Sequence, residues 1–238
     1  DIVVRNILDN NEEKLLLLAG DSLKTKSVFT FSQDSNGAKT ISFLSANRNG
    51  VFFAAGRALY KLSSADLTIS GIFNTRDDIT HAALDGDELF ISTLRFNADV
   101  VGEFESSRLI SVSAKNMREI SRFYATVKIL NFFPTNDRVI VEAFKYDTNR
   151  KHLIALSRDG LLIAAEMTPD AINFDSAFPA ANSFLLFNEN ELESLSPTSL
   201  SIRARINIQG LAIYSNGCSL FALSGDSKTI TKYDPAML

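Results

Sequence analysis

Residues 58–67 read Ala58-Leu59-Tyr60-Lys61-Leu62-Ser63-Ser64-Ala65-Asp66-Leu67, and the pattern they set, x-apolar-x-x-apolar-Ser/Asp-x-x-x-apolar, returns along the chain. Further copies run from Arg108 through Ser113 to Met117, from His152 through Ser157 to Leu161, from Glu191 through Ser196 to Leu200, and from Thr229 through Asp234 to Leu238. A looser first copy is read at Ser27-Val28-Phe29-Thr30-Phe31-Ser32. The steps between copies are roughly 31 to 50 residues, the range of one supersecondary unit per repeat.

Upstream of the phrase lies a short apolar run: Leu15 to Ala19, Val51 to Ala55, Leu89 to Ser92, Val139 to Glu142, Phe184 to Phe187 and Leu220 to Leu223. Continuous apolar character over so few residues suits a strand buried on both faces. Turns rich in Asn, Asp and Gly, such as Asn49-Gly50 and Asp85-Gly86-Asp87, precede most of these runs and close hairpins. Still further upstream come Ile2 to Leu8, Ile79 to Leu84, Val127 to Phe133, Ala171 to Phe178 and Leu211 to Tyr214. Downstream, stretches such as Thr68 to Phe73 and Ser201 to Ile206 alternate apolar with polar residues, which marks a strand with one wet face.

The unit is therefore four antiparallel strands, and the expected fold is an all-β propeller of about six four-stranded blades. A seven-bladed or incomplete propeller is the alternative. A sandwich also has many short strands, but it does not require one internal phrase to recur. Residues 1–238 are expected to form a single propeller domain, complete in itself or part of a longer protein. The place of Lys39 to Ser45 stays open between an outer strand and an innermost one. Lys115 to Tyr124, the nearest approach to helical periodicity, falls in the turn and outer strand by repeat phase. Phe is abundant at 18 residues and Trp absent. Phe52, Phe53, Phe90, Phe132, Phe133, Phe184, Phe187 and Phe221 are expected to fill the space between sheets.

Composition narrows the function classes. The formal net charge is −4 with both signs spread along the chain, which leaves no footprint for nucleic acid and none for an anionic membrane surface. No apolar run is long enough for a membrane-spanning helix. The single cysteine, Cys218, excludes an internal disulfide framework and a Cys-based zinc cage. A start at Asp1 with one cysteine slightly favours a bacterial envelope or secreted protein over a cytoplasmic one.

The last unit, Gly210-Leu211-Ala212-Ile213-Tyr214-Ser215-Asn216-Gly217-Cys218-Ser219-Leu220-Phe221-Ala222 followed by Ile230-Thr231-Lys232-Tyr233-Asp234-Pro235, resembles an NHL or YncE-type propeller repeat. The resemblance covers one unit well and the rest through the general pattern. It implies a propeller and names no single activity. The Gly-His and Trp-Asp pairs of WD40 repeats and the double glycines of kelch repeats are missing. Metal-dependent six-bladed lactonases carry similar repeats, and that likeness implies an Asp ligand just after a late buried strand. Here Phe221-Ala222-Leu223-Ser224-Gly225-Asp226 places Ser224 there and Asp226 two positions on. Glu142 and Asn188 occupy parallel places in other units, so a metal site, if present, would draw on Glu142, Asn188 and Asp226. The expectation is no metal and no cofactor.

Catalytic parts are few. His81 follows Asp77 and Asp78, a grouping that suits a general base or, more simply, a capped turn. His152 sits in the phrase as a solvated strand residue. The longest connections carry more information. Arg95 to Glu105 exceeds hairpin length and sets Phe96, Val100, Val101 and Phe104 among acids, a mix suited to contact with protein. Lys145 to Lys151, with Tyr146 and Arg150, occupies the same place one unit on. The expected role is a non-enzymatic scaffold that binds a protein partner through Arg95, Phe96, Val100, Val101, Phe104, Tyr146 and Arg150. The alternative is a lactonase-like hydrolase with a metal in the central channel.

Overall fold

The computed structural model describes residues 2–7, 13–31, 41–96, 104–167, 174, 176–180, 183–188, 191–207, 212–215, 220–223 and 230–233. They form antiparallel strands in six sheets, with no helix among the described residues. The chain divides into two compact units, Asp1–Thr126 and Val127–Leu238.

The first unit holds three sheets. β1 (Ile2–Ile7), β2 (Glu13–Leu18) and β3 (Thr25–Phe31) make one, in the order β1-β2-β3. β4 (Ile41–Asn47), β5 (Gly50–Ala55), β6 (Ala58–Leu62) and β7 (Ile69–Asn74) make the second. β8 (Asp78–Asp85), β9 (Glu88–Phe96), β10 (Phe104–Ser113) and β11 (Glu119–Ala125) make the third. The second unit holds β12 (Lys128–Pro134), β13 (Arg138–Lys145), β14 (Arg150–Ser157) and β15 (Ile163–Met167) in one sheet, and β16 (Ser176–Ala180), β17 (Ser183–Asn188), β18 (Glu191–Leu195) and β19 (Ile202–Asn207) in the next. β20 (Ala212–Ser215), β21 (Leu220–Leu223) and β22 (Ile230–Tyr233) form a three-stranded sheet. In every sheet, strands adjacent in sequence are adjacent in space.

Burial follows the hydropathy pattern. Every residue of β5 is buried, whereas β7 and β19 alternate between exposed and half-buried positions. The strand at 41–47 pairs with β5 on the side away from β6, so it is the innermost strand of its own sheet. Lys115 to Tyr124 forms a turn and β11, as repeat phase requires.

The recurring phrase has a defined geometry. In the four sheets with a clear copy, and in the first sheet, the outer strand bulges by one residue opposite positions four and five of the phrase. The bulges fall opposite Leu17/Leu18, Lys61/Leu62, Ser111/Val112, Ala155/Leu156 and Ser194/Leu195. The closing apolar residue then adopts a left-handed backbone, with φ of 59° at Leu67, 56° at Met117, 52° at Leu161 and 55° at Leu200. Two backbone hydrogen bonds fix each turn: Leu67 N–H donates to the Ser63 carbonyl (2.9 Å), and Ser63 N–H to the Thr68 carbonyl (2.8 Å). The same pair recurs at Met117, Leu161 and Leu200. Position nine supports it, since Asp66 Oδ1 accepts the Thr68 N–H and Asn116 Oδ1 the Arg118 N–H, as short polar side chains do in turns. Hydrogen bonds from the Ser63 hydroxyl and from Thr68 hold the Asp66 carboxyl below its ordinary range.

A branched side chain in the left-handed region costs about 1–2 kcal/mol. Fully burying a leucine stabilises by about 1.5–3 kcal/mol, so the strain is outweighed where the side chain is covered. Leu67 packs with Leu15 and Leu17 of the preceding sheet, Met117 with Phe52 and Leu59, and Leu200 with Leu153 and Ala155. Leu67, Met117 and Leu200 thus each plug the seam between their own sheet and the one before it. Rings complete the seams. Phe53 stacks on Tyr60 (4.6 Å, 8°) and meets Phe29 and Phe31, both at 5.6 Å. Phe133 meets Phe184 at 5.3 Å.

The structure corrects the placement of the first copy. Residues 27–31 lie on the outer strand β3, and the true copy is Lys14 to Leu23. There Leu23 has φ 53° and donates its N–H to the Ala19 carbonyl (2.8 Å). Ala19 in place of Ser or Asp, and an uninterrupted leucine run, hide that copy from the pattern.

Candidate functional site

The candidate partner-binding residues fall on two hairpins, one in each unit. Each hairpin joins the second strand of its sheet to the third. β9 and β10 run for 9 and 10 residues, against 6 and 5 for their counterparts β5 and β6. The excess length carries Arg95, Phe96 and Phe104. Phe96 pairs with Phe104 across the ladder, and a bulge between Phe104 and Ser106 then aligns Ser106 with Arg95. Arg95 Nε lies 2.9 Å from Glu105 Oε2, a partner the sequence reading did not name. That ion pair crosses the hairpin at about two-fifths exposure, where such a pair is worth little in stability. Phe96 is 52% exposed. Val100 and Val101 lie outside the described residues. Deeper in the sheet, Arg108 pairs with Asp77 (3.1 Å) and lies over the Tyr124 ring (5.4 Å), which braces the base of the hairpin.

In the second unit, Lys145 pairs with Arg150 across the β13–β14 ladder, and Tyr146 to Asn149 form the turn. Asn149 takes φ 52°, a conformation Asn tolerates better than most residues. Tyr146 is 54% exposed, with its ring edge-on to Phe144 (5.2 Å, 87°). Arg150 is exposed. The structure thus brings Arg95, Phe96 and Phe104 together, and separately Tyr146 and Arg150. Each hairpin presents an aromatic ring beside an arginine, the residue types that anchor protein contacts.

Of the candidate metal positions, only Glu142 has its side chain among the described residues. Glu142 is buried on β13 and binds Lys151 Nζ at 3.0 Å; that ammonium also donates to the Phe174 carbonyl (3.2 Å) and lies over the Phe174 ring. A carboxylate so engaged is not presented to a cation. Asn188 closes β17 opposite Glu191, its side chain outside the described residues, as is Asp226. Among the described residues no group of three or more His, Cys, Asp or Glu side chains could hold a metal ion.

The aspartates beside His81 serve arginines. Asp77 takes Arg108 and Asp78 takes Arg57 (3.3 Å), while His81 Nδ1 lies 3.4 Å from the Ser92 hydroxyl. His152 is buried rather than solvated, at 5% exposure, with its Nδ1 3.8 Å from Glu166. The phrase assigned it to a wet face because it opens the strand.

Repeated antiparallel sheets, stacked through plugged seams, define a class: the chain folds as a β-propeller. No protein-family model matches the sequence, and no curated protein matches it. Among solved structures, Hsv2p of Kluyveromyces lactis is similar at TM-score 0.61 and 9% identity, covering 98% of this chain and 70% of that one. A form of KlHsv2 with loop 6CD replaced by a Gly-Ser linker gives 0.61 and 9%, over 94% and 71%. BamB from Moraxella catarrhalis aligns at TM-score 0.42 and 12% identity, over 98% and 81%. At these identities the Hsv2 likeness is one of fold. Among the described residues no helix is long and apolar enough to cross a membrane.

Proposed function

We propose that the six sheets are the blades of one propeller domain spanning residues 1–238, and that it is a non-enzymatic scaffold for a protein partner. The partner is held through Arg95, Phe96, Val100, Val101 and Phe104 of the β9–β10 hairpin, and Tyr146 and Arg150 of the β13–β14 hairpin. The observation that carries this reading is the extension of β9 and β10 beyond their counterparts, with Phe96 exposed at the end of the ladder. An aromatic ring carried on a paired strand has less conformational freedom to lose on binding than one on a free loop.

The test is affinity capture with the intact chain, followed by rebinding of the purified partner to Phe96→Ser and Tyr146→Ser variants. Loss of an anchoring aromatic weakens such complexes by about 2 kcal/mol or more, some thirtyfold in Kd. A partner bound with equal affinity by both variants would refute this assignment of the contact surface.

A further inference from the structure

The last strand of each sheet has a ladder edge that no described strand pairs, and β7 differs from the others in what it carries there. β3 has Lys26, β11 has Glu119 and Arg122, β15 has Glu166, β19 has Arg203 and Arg205, and β22 has Lys232. β7 reads Ile69-Ser70-Gly71-Ile72-Phe73-Asn74, without a charge. A charged side chain on an edge strand is a common bar to pairing with another chain. Exposed isoleucine does not set β7 apart, since Ile120, Ile163 and Ile230 are exposed on other outer strands. The missing charge does. Behind it, β6 carries one charge, Lys61, whose Nζ is turned into the next sheet and donates to the Lys115 carbonyl (2.7 Å).

The backbone of this edge can be followed residue by residue. Asn74 lies opposite Ala58, and just beyond that pair Thr75 N–H donates to the Arg57 carbonyl (2.8 Å). Antiparallel bonding alternates along a strand, so Phe73 and Gly71 also bond toward β6. The N–H and C=O of Ile72 and Asn74 then point outward. The bulge sits at the other end, opposite Lys61 and Leu62, which leaves Gly71 to Asn74 in regular register. Ile72, in the middle of that stretch, is 47% exposed.

We propose that β7 is the pairing edge of a homodimer, in which two copies of the chain join β7 to β7, antiparallel, about a two-fold axis at Ile72. In that register each Ile72 N–H donates to the Ile72 carbonyl of the second copy. The two isoleucine side chains meet on one face of the joined sheet. On the other face Phe73 lies opposite Gly71, where a ring covers backbone that has no side chain of its own. An axis at Phe73 would instead set Ile72 against Asn74, so the apolar match selects Ile72. No like charges face each other along the strand, and the two-fold closes the assembly at two copies. A contact one strand wide falls short of the roughly 1,000 Å² of stable interfaces, so the dimer is weak, with Kd on the order of 100 μM. β7 belongs to neither extended hairpin, so this edge stands or falls independently of the hairpin contacts.

The test is sedimentation equilibrium of the intact chain between about 10 μM and about 1 mM, a span that brackets that Kd. Wild type is compared with Ile72→Lys and Ile120→Lys. Ile72→Lys removes both isoleucines from the axis and sets two ammonium groups directly opposite each other, which should weaken the dimer by about tenfold or more. Ile120→Lys puts the same charge on β11 at a comparably exposed isoleucine (53%) and should leave Kd unchanged. Both positions are exposed, so both variants keep the fold, which their urea midpoints verify. A monomer throughout the range would overturn the proposal and leave the edge to an extended segment of a different protein. Association that Ile72→Lys leaves intact, or equal weakening by Ile120→Lys, would overturn it as well.

Discussion

Leu23 and Leu67 close two copies of one turn with the same left-handed backbone and the same pair of hydrogen bonds, yet Leu23 is 62% exposed and Leu67 1%. Leu67 plugs a seam between two sheets. Leu23 projects from a sheet that no described sheet of its unit covers on that side. The turn therefore forms without burial of its last residue. Its conformation is set by the backbone bonds, and burial decides only whether a leucine there is favourable. At Leu67 the gain of burial exceeds the cost of strain. At Leu23 the strain remains.

That contrast can be pressed from several directions. Leu200→Ala removes a plug that is 2% exposed, and it should cost about 2–5 kcal/mol in urea unfolding, as leucine truncation in a packed core does. A loss below about 1 kcal/mol, the range of ordinary surface changes, would mean the seam closes without its plug. Gly71→Ala attacks the socket instead. A Cβ there would sit 2.8 Å from Met117 Cγ, so the plug of the next sheet must shift, at about 1–3 kcal/mol. An unchanged midpoint would show that the seam is loosely packed.

The smallest effect concerns charge at a seam. Burial pushes the Glu193 carboxyl above its ordinary 4.5, with Arg205 at 2.8 Å opposing and Glu191 adding. The folded state then holds this proton more tightly than the unfolded chain, so stability falls as pH rises from 4.5 through the folded value. Glu193→Gln should flatten that part of the profile and leave the acid side unchanged. A variant with the wild-type slope would locate the titration elsewhere.

Much of the fold was legible because strand burial imposes its own alphabet. The apolar runs at 51–55 and 139–141 became doubly covered strands, and the alternating runs at 69–74 and 202–207 became outer ones. The recurring phrase marked a turn, although nothing in its letters announces that position ten is left-handed. Leu is the last residue one would place there. The copy at Lys14 to Leu23 escaped because alanine replaces the polar sixth residue and four leucines blur the period. The long connections after β9 and β13 were legible from their spacing in the sequence. The Arg95–Glu105 pair and the Lys151 clamp on Glu142 were not, because each depends on cross-strand register. A one-residue bulge changes such partners without leaving a trace in composition.

The most direct measurement is urea unfolding of Leu23→Asn beside Leu67→Asn. Asparagine tolerates the left-handed conformation, so both substitutions relieve strain and only one empties a core. The account predicts that Leu67→Asn loses about 3 kcal/mol or more, through the lost burial and a buried amide. It predicts that Leu23→Asn is neutral or gains up to about 1 kcal/mol. Equal losses at the two sites, or a larger loss at Leu23, would contradict it.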